Sequence, residues 1–180
     1  MSTRKILALC LPALLAACAA GPTPKPPAGV PVPEALKAAP DESLLAVVGA
    51  TGVQIYECRA KKDQPSAVEW AFVAPEAELQ DDQGKRIGRH YAGPHWESQD
   101  GSRIAGTVKA RADAPDEGAI PWLLLSTRSA GPAGAFAKVT SIQRINTQGG
   151  MAPSSGCTAA TLGRQERVGY TADYLLFTKR

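Results

Sequence analysis

The chain has 180 residues, with 20 Lys and Arg against 17 Asp and Glu, a formal net charge of +3 and 44% hydrophobic residues. Two of the positive charges, Arg4 and Lys5, stand at the extreme N-terminus, and without them the balance falls from +3 to +1. A balance so near neutral excludes a strongly basic binder of nucleic acid, and the length suits one domain rather than several.

Arg4 and Lys5 precede a short apolar run, Ile6 to Ala17. This reads as the basic start and hydrophobic stretch of an export signal, too short to stay in a bilayer as a spanning helix. The run ends in Leu15-Ala16-Ala17-Cys18, which resembles the lipobox of bacterial lipoproteins. Residues 1–17 are therefore expected to be a lipoprotein-type signal peptide, with Cys18 the lipidated first residue of the mature chain. Ordinary secretion, with cleavage after Ala17, Ala19 or Ala20, is the alternative. Ala19 follows the cysteine where an Asp would favour retention at the inner membrane. The expected address is the cell envelope, on the periplasmic face of the outer membrane. Each buried acyl CH₂ contributes about 0.8 kcal/mol, so a doubly acylated cysteine tethers a domain that does not itself span.

Six prolines fall between Ala19 and Pro33. Residues 18–33 thus read as a lipidated cysteine followed by an extended, solvated linker, and residues 34–180 as one domain.

Within that domain the pattern is β. Leu44 to Val48 and Val53 to Tyr56 are continuously apolar runs suited to central strands, divided by a turn signal at Gly49 to Gly52. Val68, Trp70 and Phe72 form a one-sided stripe. In Ser102 to Ala112, Ile104, Gly106, Val108, Ala110 and Ala112 alternate with Arg103, Thr107, Lys109 and Arg111. Trp122 to Leu125 reads as another central strand, and Phe136 to Ile145 as a strand with weaker alternation. Val168, Tyr170, Ala172, Tyr174 and Leu176 form the last stripe. Turn residues separate these runs at Asp81 to Gly84, Gln99 to Ser102, Gly131 to Gly134 and Gly149-Gly150. A turn or two of helix is expected only at Pro33 to Ala38 and Ala159 to Gln165. The expected fold is all-β, an antiparallel sandwich or barrel of about eight to ten short strands with little helix.

Cys10 leaves with the signal and Cys18 takes lipid, so Cys58 and Cys157 remain and are expected to form one disulfide in an oxidising compartment. A reactive thiol is the competing reading.

Both histidines lie in Gly88-Arg-His-Tyr-Ala-Gly-Pro-His-Trp-Glu97. His90 and His95 are five apart and would fall on opposite faces of a regular strand, but Gly93-Pro94 breaks it. His90, His95 and Glu97 are accordingly candidate ligands of a substrate or metal, against the simpler reading of a structural hairpin corner. Trp70, Trp96 and Trp122 are candidate walls of a pocket, or simply core. Arg103, Lys109 and Arg111 could form a basic stripe toward envelope phosphates or carboxylates, or a solvated sheet face. Ser154-Ser-Gly-Cys157 lacks a base that sequence can place beside it, and no HExxH, GxSxG, GxxxxGK[ST] or GxGxxG motif is present. No catalytic residue is assigned and no cofactor is expected.

Five blocks in order resemble the uncharacterised domain-of-unknown-function family 3455 in its bacterial exported form. They are Gly52 to Cys58, Trp70 to Leu79, Gly88 to Glu97 with Asp100 to Ser102, Ala119 to Leu125, and Val139 to Arg144. The resemblance implies an exported β-rich domain and carries over no catalytic residue or ligand.

The leading expectation is a lipid-anchored, non-enzymatic envelope module that meets a small ligand, an envelope component or a protein partner, with no nucleic acid involved. A metal-assisted hydrolase using His90, His95 and Glu97 is the alternative.

Overall fold

The computed structural model describes residues 24–180. The expected signal peptide, the lipidated Cys18 and the start of the linker lie outside the described residues.

Eight antiparallel strands close into a barrel in simple chain order, each pairing with the next and the last with the first. They are β1 (Glu42–Lys61), β2 (Gln64–Gln80), β3 (Arg86–Tyr91), β4 (His95–Ser98), β5 (Arg103–Ala112), β6 (Trp122–Ser129), β7 (Ser141–Gly149) and β8 (Gln165–Lys179). Short 3₁₀ turns at Glu34–Leu36 and Ala159–Thr161 are the helical elements, where turns of helix were expected. The all-β antiparallel class holds, and every strand pairs on both sides over at least part of its length.

Strand lengths depart from the expectation of short strands. β1 runs unbroken through Gly49 to Gly52, which was expected to turn. Gly52 stays in the strand because β2 passes too close for a side chain: a Cβ there would lie 2.2 Å from the Glu76 carbonyl oxygen. Conversely, the strand expected from Phe136 starts only at Ser141, while Phe136 and Val139 are buried from the preceding loop.

The β8 stripe faces inward as the alternation predicts, with Tyr170, Ala172, Tyr174 and Leu176 all in the interior core beside Val48, Leu79, Trp96, Ile104, Leu125 and Ile142. β5 does not keep its parity. A register shift between Val108 and Ala110 turns the strand over, so Ala110 and Ala112 join a second cluster outside the barrel. That outer cluster holds Trp122, Leu124, Ile145 and Leu175, and is covered by Val30, Val32 and the fully buried Leu36. Gln143 Nε2 donates to the Leu36 carbonyl at 2.6 Å and fixes this strap. The last part of the expected solvated linker is therefore docked on the barrel wall.

The outer faces of β2, β3, β4 and β8 carry ion pairs Arg86–Glu78, Arg89–Glu97 and Arg167–Glu76.

Candidate functional site

The hairpin β3–β4 decides the site. Direct cross-strand neighbours share a face, and the register pairs His90 with Trp96, Tyr91 with His95, and Arg89 with Glu97. His90 and Trp96 point into the barrel, whereas His95 and Glu97 point out.

On the outer face every group is engaged. Glu97 accepts from Tyr91 Oη at 2.6 Å and from Arg89 Nη2 at 2.9 Å, with Arg103 Nη1 at 3.8 Å. The Tyr91 hydrogen bond and the two arginines hold its carboxyl below the usual range. Arg103 spends Nε and Nη2 on the Ala130 carbonyl. His95 Nδ1 bonds the Ala92 carbonyl at 2.6 Å, and the ring stacks on Tyr91. His90, His95 and Glu97 do not converge, and among the described residues no group of three His, Cys, Asp or Glu side chains could hold a metal ion. The two-faced hairpin is the physical reason: odd spacing across an almost regular corner sends the ligands apart. The basic stripe dissolves likewise, because Arg103 caps a loop and the β5 bulge separates it from Lys109 and Arg111.

On the inner face His90 stacks on Trp96 with ring centroids 4.1 Å apart and planes 15° from parallel. Tyr174 meets both rings edge-on, at 5.3 and 5.4 Å. The His90 Nδ1 lies 2.8 Å from the His95 carbonyl, an acceptor only, so Nδ1 carries the proton. Burial pushes the imidazole down to about 3, and the ring is neutral with Nε2 an acceptor. Gly106 makes room for this stack, since a Cβ there would lie 2.7 Å from Trp96 Cζ3.

Beside the stack is a cavity of about 370 Å³. Its polar lining is Gln54, His90, Arg144 and Tyr174, beside Trp96. Its apolar lining includes Phe72, Val73, Pro75, Val108, Leu123 and Leu125, of which Phe72, Val73 and Val108 are exposed. Gln54 and Trp96 are 3% and 2% exposed, yet Gln54 Nε2 and Trp96 Nε1 have no partner among the protein atoms. Arg144 lends Nε and Nη2 to the Pro121 carbonyl at 3.1 and 2.7 Å. Tyr56 is tied to the Gly150 carbonyl, and Tyr170 to Tyr174. Burial raises all three phenols, so they stay protonated.

The opening follows from strand length. β3 pairs with β2 only from Ala77 to Gln80, and β4 with β5 only from Arg103 to Ala105. The far halves of β2 and β5 thus lack a strand between them, and the wall there is the Gly93-Pro94 turn. Phe72 and Val108, on either side of this gap, are 54% and 53% exposed, high for an aromatic and a branched apolar residue.

Of the three candidate tryptophans only Trp96 belongs to the cavity. Trp122 lies in the outer cluster, and Trp70 donates to the Ser155 carbonyl at the far end of the β1–β2 hairpin. Cys58 and Cys157 are bonded, with Cα atoms 5.2 Å apart, and clip the β7–β8 loop to β1. Sequence reasoning missed Gln54 and Arg144. No sequence signal marked them, since both stand beside apolar residues that alternation assigns to the inner face.

Residues 39–178 match the model of a family described as a protein of unknown function (DUF3455), and the chain belongs to that family. No curated protein and no solved structure was found to match it.

Proposed function

We propose that this chain is an exported, lipid-anchored envelope module whose barrel binds a small, largely apolar ligand and performs no catalysis on it. The observation that carries the reading is the cavity itself. It joins an exposed apolar edge at Phe72 and Val108 to a polar wall of Gln54, His90, Arg144 and Tyr174, the pattern of a small-ligand pocket.

Support for export comes from two sides. The Leu15-Ala-Ala-Cys18 sequence suits lipidation, and the Cys58–Cys157 bond suits an oxidising compartment. Lipidation of Cys18 would put the barrel at the membrane surface, on the proline-rich segment up to the docked strap.

The test is binding of N-phenyl-1-naphthylamine, a neutral apolar fluorophore, to the full chain carrying Cys18→Ser, so that neither lipid nor detergent competes. Saturable binding with blue-shifted emission is expected. Val108→Trp, at an exposed position of the entrance, should lower the affinity at least about tenfold, a loss of about 1.4 kcal/mol. Absence of saturable binding to the native protein would sink the proposal.

A further inference from the structure

The floor of the cavity holds a positive charge without a negative one. Arg144 is the central member of an inward row in which Leu123, Arg144 and Tyr174 are direct cross-strand neighbours on β6, β7 and β8. Its guanidinium enters none of the ion pairs among the described residues. The titratable groups that face it supply no counter-charge: His90 is neutral, and Tyr56, Tyr170 and Tyr174 are protonated phenols. No Asp or Glu lines the cavity.

Building on the binding reading above, we propose that the natural ligand is a small apolar carboxylate, seated with its carboxylate on Arg144 and its apolar part toward the Phe72–Val108 gap. A partly desolvated cation without a partner is unfavourable, and a ligand that brings the opposite charge relieves it. The fork from Nε and Nη2 to the Pro121 carbonyl fixes the plane of the guanidinium beside the Tyr174 hydroxyl, a neutral group that leaves its charge unbalanced. Gln54 and Trp96 line the cavity beside it, with Nε2 and Nε1 buried. A guanidinium without an ion-pair partner selects an acceptor-only head, and an ionised carboxylate is such a group.

The rest of the lining decides against larger anions. One lining cation balances one negative charge, whereas a phosphate dianion would need a second. Arg111 shares the inward row through Leu123, but it is exposed and does not line the cavity, so its place is to attract anions toward the gap rather than to seat them. The apolar outer lining of Phe72, Val73, Pro75 and Val108 offers nothing to a sugar or a second charged group. A cavity of about 370 Å³ is at the small end of ligand sites, which fits a short chain or a single ring system.

Decanoate and decan-1-ol have the same chain and differ at the head. Each is titrated against the full-length Cys18→Ser protein loaded with N-phenyl-1-naphthylamine, below the micellar concentration of the acid. Decanoate should displace the probe at least about tenfold more tightly than decanol, as a charge-assisted hydrogen-bonded pair requires. Arg144→Gln should bring decanoate down to the level of decanol and leave decanol unchanged, while Arg144→Lys should retain most of the preference. Equal affinity of acid and alcohol for the unsubstituted protein would overturn the carboxylate assignment and leave the binding reading intact. Failure of the probe to bind at all overturns both. The acid–alcohol comparison needs no substitution at Arg144, so a folding defect in the variants cannot mask the answer.

Discussion

Replacing Gln54 with Leu should make the empty protein more stable and the binding site worse. Gln54 is 3% exposed, and its Nε2 has no protein partner. Leaving a buried donor unsatisfied costs about 1–3 kcal/mol, and Leu is close to Gln in volume. The carbonyl side of the amide and the imperfect match of shape subtract from the gain, so a net stabilisation of about 1–2 kcal/mol is expected. In a protein of this size each kcal/mol moves the midpoint by about 2–4 °C, so Tm should rise by about 2–8 °C. The assay is urea unfolding of ligand-free protein, followed by tryptophan fluorescence at neutral pH, with the slope m unchanged between the two proteins. A loss of stability of about 1 kcal/mol or more in the variant would refute the reasoning. It would show that the amide is satisfied inside the barrel, by ordered water, and serves the fold.

Two further predictions concern the frame around the cavity. The Cys58–Cys157 bond joins residues 99 apart in sequence, and the Cys58→Ala, Cys157→Ala pair should lose about 3–5 kcal/mol in the same unfolding experiment, the upper end being the chain-entropy value for a loop of that length. A loss below about 1 kcal/mol would mean that the β7–β8 loop is held without it. Glu42 is 9% exposed and accepts from Ala39 N, Thr140 Oγ1 and Ser141 Oγ. Burial alone would raise its pKa, but the three hydrogen bonds outweigh burial and the folded value lies below the ordinary 4.5. Its contribution is therefore full above pH 4.5 and is lost as the pH falls through the lower folded value, because the unfolded chain takes up the proton first. Glu42→Gln should flatten the acid limb of a stability–pH curve, and an unchanged limb would assign acid sensitivity elsewhere.

How far the sequence could be read depended on whether strands kept a strict period of two. β8 does so, and its inward stripe of Tyr170, Ala172, Tyr174 and Leu176 was legible as such. β5 does not, because the bulge after Val108 reverses the sense of every residue beyond it, and no local signal marks that bulge. Gly49 to Gly52 looked like a turn since glycine usually bends a chain. Here glycine serves close approach of strands instead. The disulfide could be reached by counting cysteines and judging the compartment. Gln54 sits between Val53 and Ile55, and Arg144 beside Ile145; alternation reads both as outward because their apolar neighbours claim the inner face, whereas Ile145 packs in the outer cluster and the polar side chains turn inward, against their usual preference for the surface. Polar residues at core positions are where local rules fail for a functional reason, so the misreading and the site coincide.

The histidine-rich hairpin acquires a different role from the one its residues advertise. Gly93-Pro94 ends β3 and β4 early, and that shortness alone leaves the far halves of β2 and β5 without a bridging strand. A barrel with full-length third and fourth strands would have sealed the wall over Phe72 and Val108. The outer groups, Tyr91, His95, Glu97, Arg89 and Arg103, then lock the short hairpin in place, and the inner His90–Trp96 stack forms the side of the cavity it exposes. Histidine suits that inner position because it is flat enough to stack and polar enough to anchor to the His95 carbonyl. Burial keeps it uncharged, so it does not compete with Arg144 for an incoming anion. The two histidines are thus neither joint ligands nor idle: one closes the corner from outside, and the other keeps the floor of the pocket with a single positive charge.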